Sequence, residues 1–307
     1  MRVIVTGGTG LIGRALATEL VARGDEVVVT TRNPEAASGL PAEVELARWD
    51  GASTEGLSSL LEGSNAVVHL LGAGVGEKRW TRERKALIRS SRVRSTAALT
   101  EALAEVEDRP AVLLQGSAIG YYGDRGDEDL DESSPAGVGF LSETCVEWEE
   151  SSRPVEALGM RRVCLRTGVV LADGAGALPL MVMPFRFFVG GPLGDGRHWV
   201  PWIHIDDEVG AILHLLERSD ARGAFNLTAP TSVDNRSFGK AVGEALRRPS
   251  FMPTPAFAMR WMLGEMSELV LGSQKALPRG LIDLDYEFRF PTLRAALRDL
   301  IGTGKGG

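Results

Sequence analysis

Eight residues near the start of the chain, Thr6 to Gly13, read TGGTGLIG. They stand between a β-branched run, Val3-Ile4-Val5, and a helical pattern from Leu11 to Arg23. A strand that turns at once into a helix needs glycine where φ is positive or where backbone meets backbone. The first amides of that helix, unpaired within it, then form an anion site reinforced by the helix dipole. Gly7, Gly10 and Gly13 form G-x-x-G-x-x-G, and Gly8, Gly10 and Gly13 also satisfy G-x-G-x-x-G, so spacing leaves the register open. Either register describes the opening of a Rossmann-type βαβ unit whose turn receives a dinucleotide pyrophosphate. Gly7, Gly10, Leu11, Ile12 and Gly13 are the expected cradle.

The end of the second β-branched run refines the ligand. NAD-selective units place a carboxylate there for the adenosine 2′-hydroxyl. This chain has Thr30-Thr31-Arg32-Asn33 instead. No carboxylate repels a 2′-phosphate, and Arg32 offers it a planar fork of donors. The expected cofactor is therefore NADP(H).

Further apolar runs follow at Val27 to Thr31, Val44 to Arg48, Ala66 to Leu71, Val112 to Gln115 and Val163 to Leu165, with helical patterns between them. Such alternation predicts an α/β fold, a doubly wound parallel sheet with helices on both faces. After Thr167 glycine and proline become dense, and helical patterns follow at Asp206 to Leu216, Asn235 to Leu246 and Pro255 to Leu271. With 307 residues available, the reading is a Rossmann domain over 1–170 and a smaller C-terminal substrate lobe over 171–307. The tail from Gly302 to Gly307 reads as a frayed terminus.

A net charge of −7, with acidic and basic residues interspersed, supplies no field for nucleic acid or anionic lipid, and no apolar run is long enough to span a bilayer. The expected partner is a small-molecule substrate, with a homodimer left open and the cytoplasm as the expected location. Cys145 and Cys164 read as core thiols, and no Cys/His spacing suggests a metal.

The chain resembles atypical extended short-chain dehydrogenase/reductases, the nucleoside-diphosphate-sugar epimerase-like (cell-division-inhibitor-like) branch. The resemblance is carried by SAIGYYG (Ser117 to Gly123), FLSETC (Phe140 to Cys145), RTGVVL (Arg166 to Leu171), WIHIDD (Trp202 to Asp207), FNLTAP (Phe225 to Pro230) and GEMSELVLGSQKALP (Gly264 to Pro278). It implies an epimerase-like part extending to about residue 230 and a branch-specific module at about 249–297. It further implies that Leu70 to Ala73, hence Leu71, Gly72 and Ala73, lie along the adenosine and ribose. Asp50 would stand near the adenine, and Thr167 to Val169 would close over the nicotinamide.

One part of the family pattern is missing. Those enzymes exchange a proton through Tyr and Lys four residues apart on a helix, but the corresponding positions here are Phe140 and Thr144. No other tyrosine is followed by Lys at that spacing. Ser117 remains to orient a substrate oxygen, and Tyr121, Tyr122 or Glu143 are the substitute acids. Two functions stay open: an NADP(H)-dependent epimerase-like oxidoreductase acting on a carbonyl or nucleotide sugar, and a non-catalytic NADP(H)-binding regulatory or redox-sensing protein.

Other features have structural readings. The basic cluster from Arg79 to Arg94 reads as a solvated helix face, His69 as a satisfied core group, and Asp206 or Asp207 as a helix cap. The stripe Phe257, Trp261, Met262, Met266, Leu269, Val270 reads as core.

Overall fold

The computed structural model describes residues 1–302, so the tail beyond Gly302 lies outside the described residues. Seven strands form the central sheet: β1 (Arg2–Thr6), β2 (Glu26–Thr31), β3 (Glu45–Arg48), β4 (Ala66–His69), β5 (Val112–Ala118), β6 (Arg161–Thr167) and β7 (Gly223–Leu227). All pair in parallel, in the order β3-β2-β1-β4-β5-β6-β7. The fold is thus the Rossmann-like doubly wound sheet that the alternating pattern predicts.

Alternation along each strand divides the core in two. Val3, Val5, Val27, Val29 and Val68 meet Leu16 and Leu20 of α1 (Leu11–Ala22). Ile212 and Leu215 of α4 (Ile205–Glu217) join the same layer. On the other face Ile4, Val28, Val67 and Leu113 meet Leu99 and Leu103 of α2 (Arg82–Glu105), and α3 (Phe140–Ser151) packs beside α2. Burial on both faces is why these strands read as unbroken apolar runs. The strand order reverses between β1 and β4, which opens a crevice at their carboxyl ends.

A third core builds the C-terminal lobe. Trp202, on a strand Trp202–His204 that pairs with Val169–Ala172, is surrounded by Leu178, Phe238, Val242 and Leu297. Phe238 and Val242 come from α5 (Asn235–Leu246) and Leu297 from α6 (Leu293–Ile301). The lobe is not continuous in sequence, because α4 and β7 return to the main sheet. The rise in glycine and proline after Thr167 marks where the chain first leaves the sheet, not where it stops contributing to it.

Two readings are corrected. The pattern from Pro255 to Leu271 is broken at Gly264 (φ +61) into Ala256–Leu263, a tight turn Gly264–Ser267 and Glu268–Leu271. Its Phe257, Trp261 and Met262 are exposed, not core. The helix after Trp202–His204 is capped by the His204 ring, whose Nδ1 accepts the Asp206 N–H at 3.0 Å. Asp207 points elsewhere, accepting the N–H groups of Arg289 (2.7 Å) and Phe290 (2.9 Å) and so fastening the C-terminal segment to α4.

Candidate cofactor and active site

The glycine turn is shaped by backbone contact. Gly7 has φ +73, and a Cβ there would stand 2.7 Å from the Leu70 carbonyl carbon; one at Gly13 would stand 2.5 Å from the Gly8 Cα. Gly10 supplies the N-cap of α1 with no side chain to satisfy its first amides, and no acidic residue stands in that turn. Gly7 and Gly13 are thus held to glycine by backbone contact, and Gly10 by its place at the N-cap. Gly8 is needed too, since a Cβ there would reach 2.6 Å from Val29. Leu11 and Ile12 follow in the first turn, where bare amides face the crevice. The turn fits a pyrophosphate in its chemistry: among the described residues no side chain caps the first amides of α1 and no acidic residue stands in that turn to oppose an anion.

Around the turn the other expected cofactor residues are distributed as follows. Arg32, exposed at the end of β2, has no ion pair or hydrogen bond on its guanidinium among the described residues; only its carbonyl is used, by Arg48 at 3.1 Å. Asp50 is occupied in a turn, its Oδ1 accepting the N–H groups of Ala52 (2.8 Å) and Ser53 (2.9 Å), and these bonds hold its carboxyl below the usual range. Ala73 donates its N–H to Ser91 (3.0 Å), and its carbonyl accepts from Arg92 (2.9 Å), so α2 fixes the Gly72–Ala73 backbone. Leu71 covers Gly51, which brings the segments after β3 and β4 together. Arg92 is not a solvated charge: its guanidinium lies 4.9 Å from the Trp148 ring, and burial lowers its pKa.

Thr167, at the end of β6, donates to Glu208 Oε1 at 2.8 Å. Glu208 is fully buried on α4, its Oε2 has no hydrogen-bond partner among the described residues, and burial raises its pKa to about 8. Val169 begins the strand beyond, with its N–H on the Pro201 carbonyl at 2.6 Å. His69 lies beneath the crevice between Thr6 (2.5 Å) and Ser95 (3.1 Å), held neutral by burial with its pKa lowered to about 3.

Phe140 and Thr144 sit in the first turns of α3, Phe140 against the Trp80 ring (5.1 Å) and Thr144 bonded to the Phe140 carbonyl (2.7 Å). The substitutes differ in access. Ser117 is buried and donates to Glu149 Oε1 at 2.6 Å. Glu149 is forked by Arg166, and Arg166 also donates to the Tyr122 hydroxyl at 3.0 Å. That hydroxyl donates to Asn226 Oδ1 (2.7 Å), its ring is fully buried, and burial pushes it up to about 12. Tyr122 is thereby enclosed and hydrogen-bonded within the core. Glu143 is exposed on α3. Tyr121 is half-buried, its hydroxyl has no partner among the described residues, and the Arg166 guanidinium lies 3.5 Å from its ring centroid. The Glu149–Arg166 pair escaped sequence reading although both residues lie in or beside quoted motifs; nothing in their spacing shows that α3 and β6 face each other.

Residues 3–228 match the NAD dependent epimerase/dehydratase family, and residues 254–300 match a domain of unknown function, DUF1731. The chain belongs to the NAD dependent epimerase/dehydratase family. An epimerase family protein of Staphylococcus saprophyticus is 37% identical over 301 residues, 97% of this chain and 98% of that one. The crystal structure of human epimerase family protein SDR39U1 with NADPH superposes with a TM-score of 0.88 at 34% identity, covering 98% of this chain and 99% of that one. MoeE5 in complex with UDP-glucuronic acid and NAD shares the fold alone, with a TM-score of 0.78 at 22% identity over 98% of both chains. In this epimerase-family chain the glycine cradle is complete, while the Tyr and Lys positions hold Phe140 and Thr144. Among the described residues no cluster of His, Cys, Asp or Glu is placed to hold a metal, and no helix is long and apolar enough to cross a membrane.

Proposed function

We infer that the chain binds NADP(H) and acts as an epimerase-like oxidoreductase on a small carbonyl compound or nucleotide sugar. The observation that carries this reading is the glycine cradle with an unpaired Arg32 at the end of β2. Gly7, Gly10, Leu11, Ile12 and Gly13 hold the pyrophosphate, Arg32 the 2′-phosphate, and the 71–73 backbone, with Asp50 nearby, lines the adenosine side. Thr167 and Val169 bound the nicotinamide side. When bound, the cofactor supplies a hydride donor or acceptor. Tyr121 is the proton-exchanging phenol, because its hydroxyl is unengaged and a guanidinium lies against its ring. Ser117, fixed by Glu149, presents its remaining lone pairs to the same end of β5. The NADPH named with the human relative supports the choice of cofactor.

The loss of the Tyr–Lys pair favours a second reading, a cofactor-binding regulatory or redox-sensing protein without turnover. A positioned acid contributes about 10²- to 10⁴-fold to rate, so its loss leaves binding intact while removing most catalysis. Calorimetric titration with NADPH and NADH, followed by absorbance of the NADPH complex against carbonyl compounds and nucleotide sugars, separates the two. Selective NADPH binding with substrate-dependent oxidation supports the oxidoreductase. Selective binding without oxidation of NADPH, reduction of NADP⁺ or isomerisation of any sugar supports the regulatory reading, and absence of binding removes both.

A further inference from the structure

Two exposed apolar segments of the C-terminal lobe run side by side. Residues 187–193 and 251–256 are tied by the N–H groups of Phe251 and Met252 on the Gly190 carbonyl (3.2 Å each) and by Thr254 N–H on the Pro192 carbonyl (2.9 Å). The first segment presents Phe187 and Phe188, the second Phe251, and the helix that follows presents Phe257 and Trp261 one turn apart. These five rings are 54% to 85% exposed. Exposed aromatic side chains gathered on adjoining segments of a folded chain mark a candidate interaction site. Phe188 is also held at φ +63, a conformation that bulky residues rarely adopt.

The surroundings of the rings are basic. An adjoining cavity of about 1010 Å³ is lined by Arg197, Arg236, Lys240, Arg247 and Arg248, with Asp195 and Glu244 as its only acidic groups. Glu244 pairs with Arg294 (3.1 Å), outside the cavity lining, and Arg236 is bonded to the Asp195 carbonyl (2.8 Å). Arg197, Lys240, Arg247 and Arg248 make no ion pair among the described residues. Arg248 lies 4.4 Å from the Phe188 ring centroid, which joins the cavity to the apolar face. Arg260 adds a further exposed cation between Phe257 and Trp261 in the helix. The chain as a whole carries −7, so this is a local reversal of sign.

We propose that this face docks peripherally on a membrane surface rich in anionic lipid. Aromatic rings enter the boundary between headgroups and acyl chains, and the arginines and lysine meet lipid phosphates. A second copy of the chain is a poorer occupant. A two-fold contact places the patch on itself, setting Lys240 and Arg248 of one copy among the same cations of the other. The even mixing of charge along the sequence, which reads against an anionic lipid partner, is undone here by folding: α5, its C-terminal turn and the segment around Arg197 bring their cations to one side.

The test is co-sedimentation of the full chain with phosphatidylcholine vesicles and with equimolar phosphatidylcholine–phosphatidylglycerol vesicles. Binding is expected only to the anionic vesicles, and it should fall as salt shortens the Debye length from about 10 Å to about 3 Å. Lys240→Gln with Arg248→Gln should lower partitioning about fivefold for each charge removed. Phe251→Ser with Trp261→Ser should lower it at least about tenfold, with an unchanged thermal unfolding midpoint showing that both variants fold. Absence of sedimentation with anionic vesicles overturns the proposal, as does equal binding to neutral ones. A concentration-dependent dimer that disappears in the Phe251/Trp261 variant, without vesicle binding, also overturns it and assigns the face to self-association.

Discussion

Glu149 of α3 and Arg166 of β6 are joined by two parallel hydrogen bonds of 2.9 and 3.0 Å, and both side chains are almost wholly buried. This bidentate pair raises the Arg166 pKa, fixes the Ser117 hydroxyl through Glu149 and reaches Tyr122 through Arg166. The network stiffens the floor of the crevice beside the carboxyl end of β5. Removing one partner leaves the other charge buried and uncompensated, which costs about 3 to 5 kcal/mol. Glu149→Gln and Arg166→Met should each lower the unfolding free energy by that order in urea denaturation. The double variant should lose less than the sum of the two; strict additivity would show that the pair is not coupled.

The two adjacent tyrosines should separate. Tyr122→Phe leaves the Asn226 carbonyl oxygen and an Arg166 donor short of a partner in a closed core, at a cost of about 1 to 3 kcal/mol. Its NADPH affinity should match the parent in calorimetry. Tyr121→Phe, which removes a hydroxyl with no partner, should leave stability within about 0.5 kcal/mol and lower turnover about 10²-fold or more if the phenol exchanges the proton. Equal turnover of the Tyr121 variant and the parent would remove Tyr121 from the chemistry.

Arg32→Ala should weaken NADPH by about tenfold or more, the loss of one charge-assisted bond to a phosphate, and leave NADH unchanged. Titration calorimetry with both nucleotides measures it. Equal losses for both would place the 2′-phosphate elsewhere.

Gly13→Ala puts a methyl group 2.5 Å from the Gly8 Cα, a backbone atom, where the start of α1 packs on the turn after β1. The expected result is a destabilisation of about 1 to 3 kcal/mol with loss of nucleotide binding. Gly24→Ala is the control for positive φ alone, since nothing lies within 4 Å of its Cβ position. It should cost a similar amount of stability and bind nucleotide normally.

Glu208 makes stability depend on pH in a defined direction. Its folded pKa, about 8, lies above the ordinary 4.5, so between those values the native chain holds a proton that the unfolded chain has released. Its contribution is fully present below pH 4.5 and falls as pH rises toward 8, by up to about 1.4 kcal/mol per unit. His69, with its pKa lowered from 6.5 to about 3, works oppositely: its contribution is present above pH 6.5 and is lost as pH falls toward 3. The difference between the parent and Glu208→Gln isolates the first effect. That difference should change steadily from pH 5 to 8 in denaturant titrations; a constant difference would mean that Glu208 is ionised in the folded chain.

Much of this protein follows from local order in the sequence. The turn from Thr6 to Gly13 specifies its own geometry, because glycine, strand and helix are adjacent and backbone sterics act over a few residues. Continuous β-branched runs such as Val27-Val28-Val29 already mean burial on both faces, and hence a parallel sheet under two layers of helices. Phe140 and Thr144 show by residue type alone that the Tyr and Lys of the family pattern are absent at those positions. Tertiary structure decided what depends on residues far apart. It engaged Tyr122 with Asn226 and left the hydroxyl of Tyr121 without a partner among the described residues, although the two stand side by side in the chain. It paired Ser117, Glu149 and Arg166 from three elements, buried Glu208 against Thr167, and left Phe257 and Trp261 in water near a gathered group of arginines. Periodicity gives a side chain's position on its own element. Which neighbour it meets is settled only when sheet order and helix packing bring distant segments together.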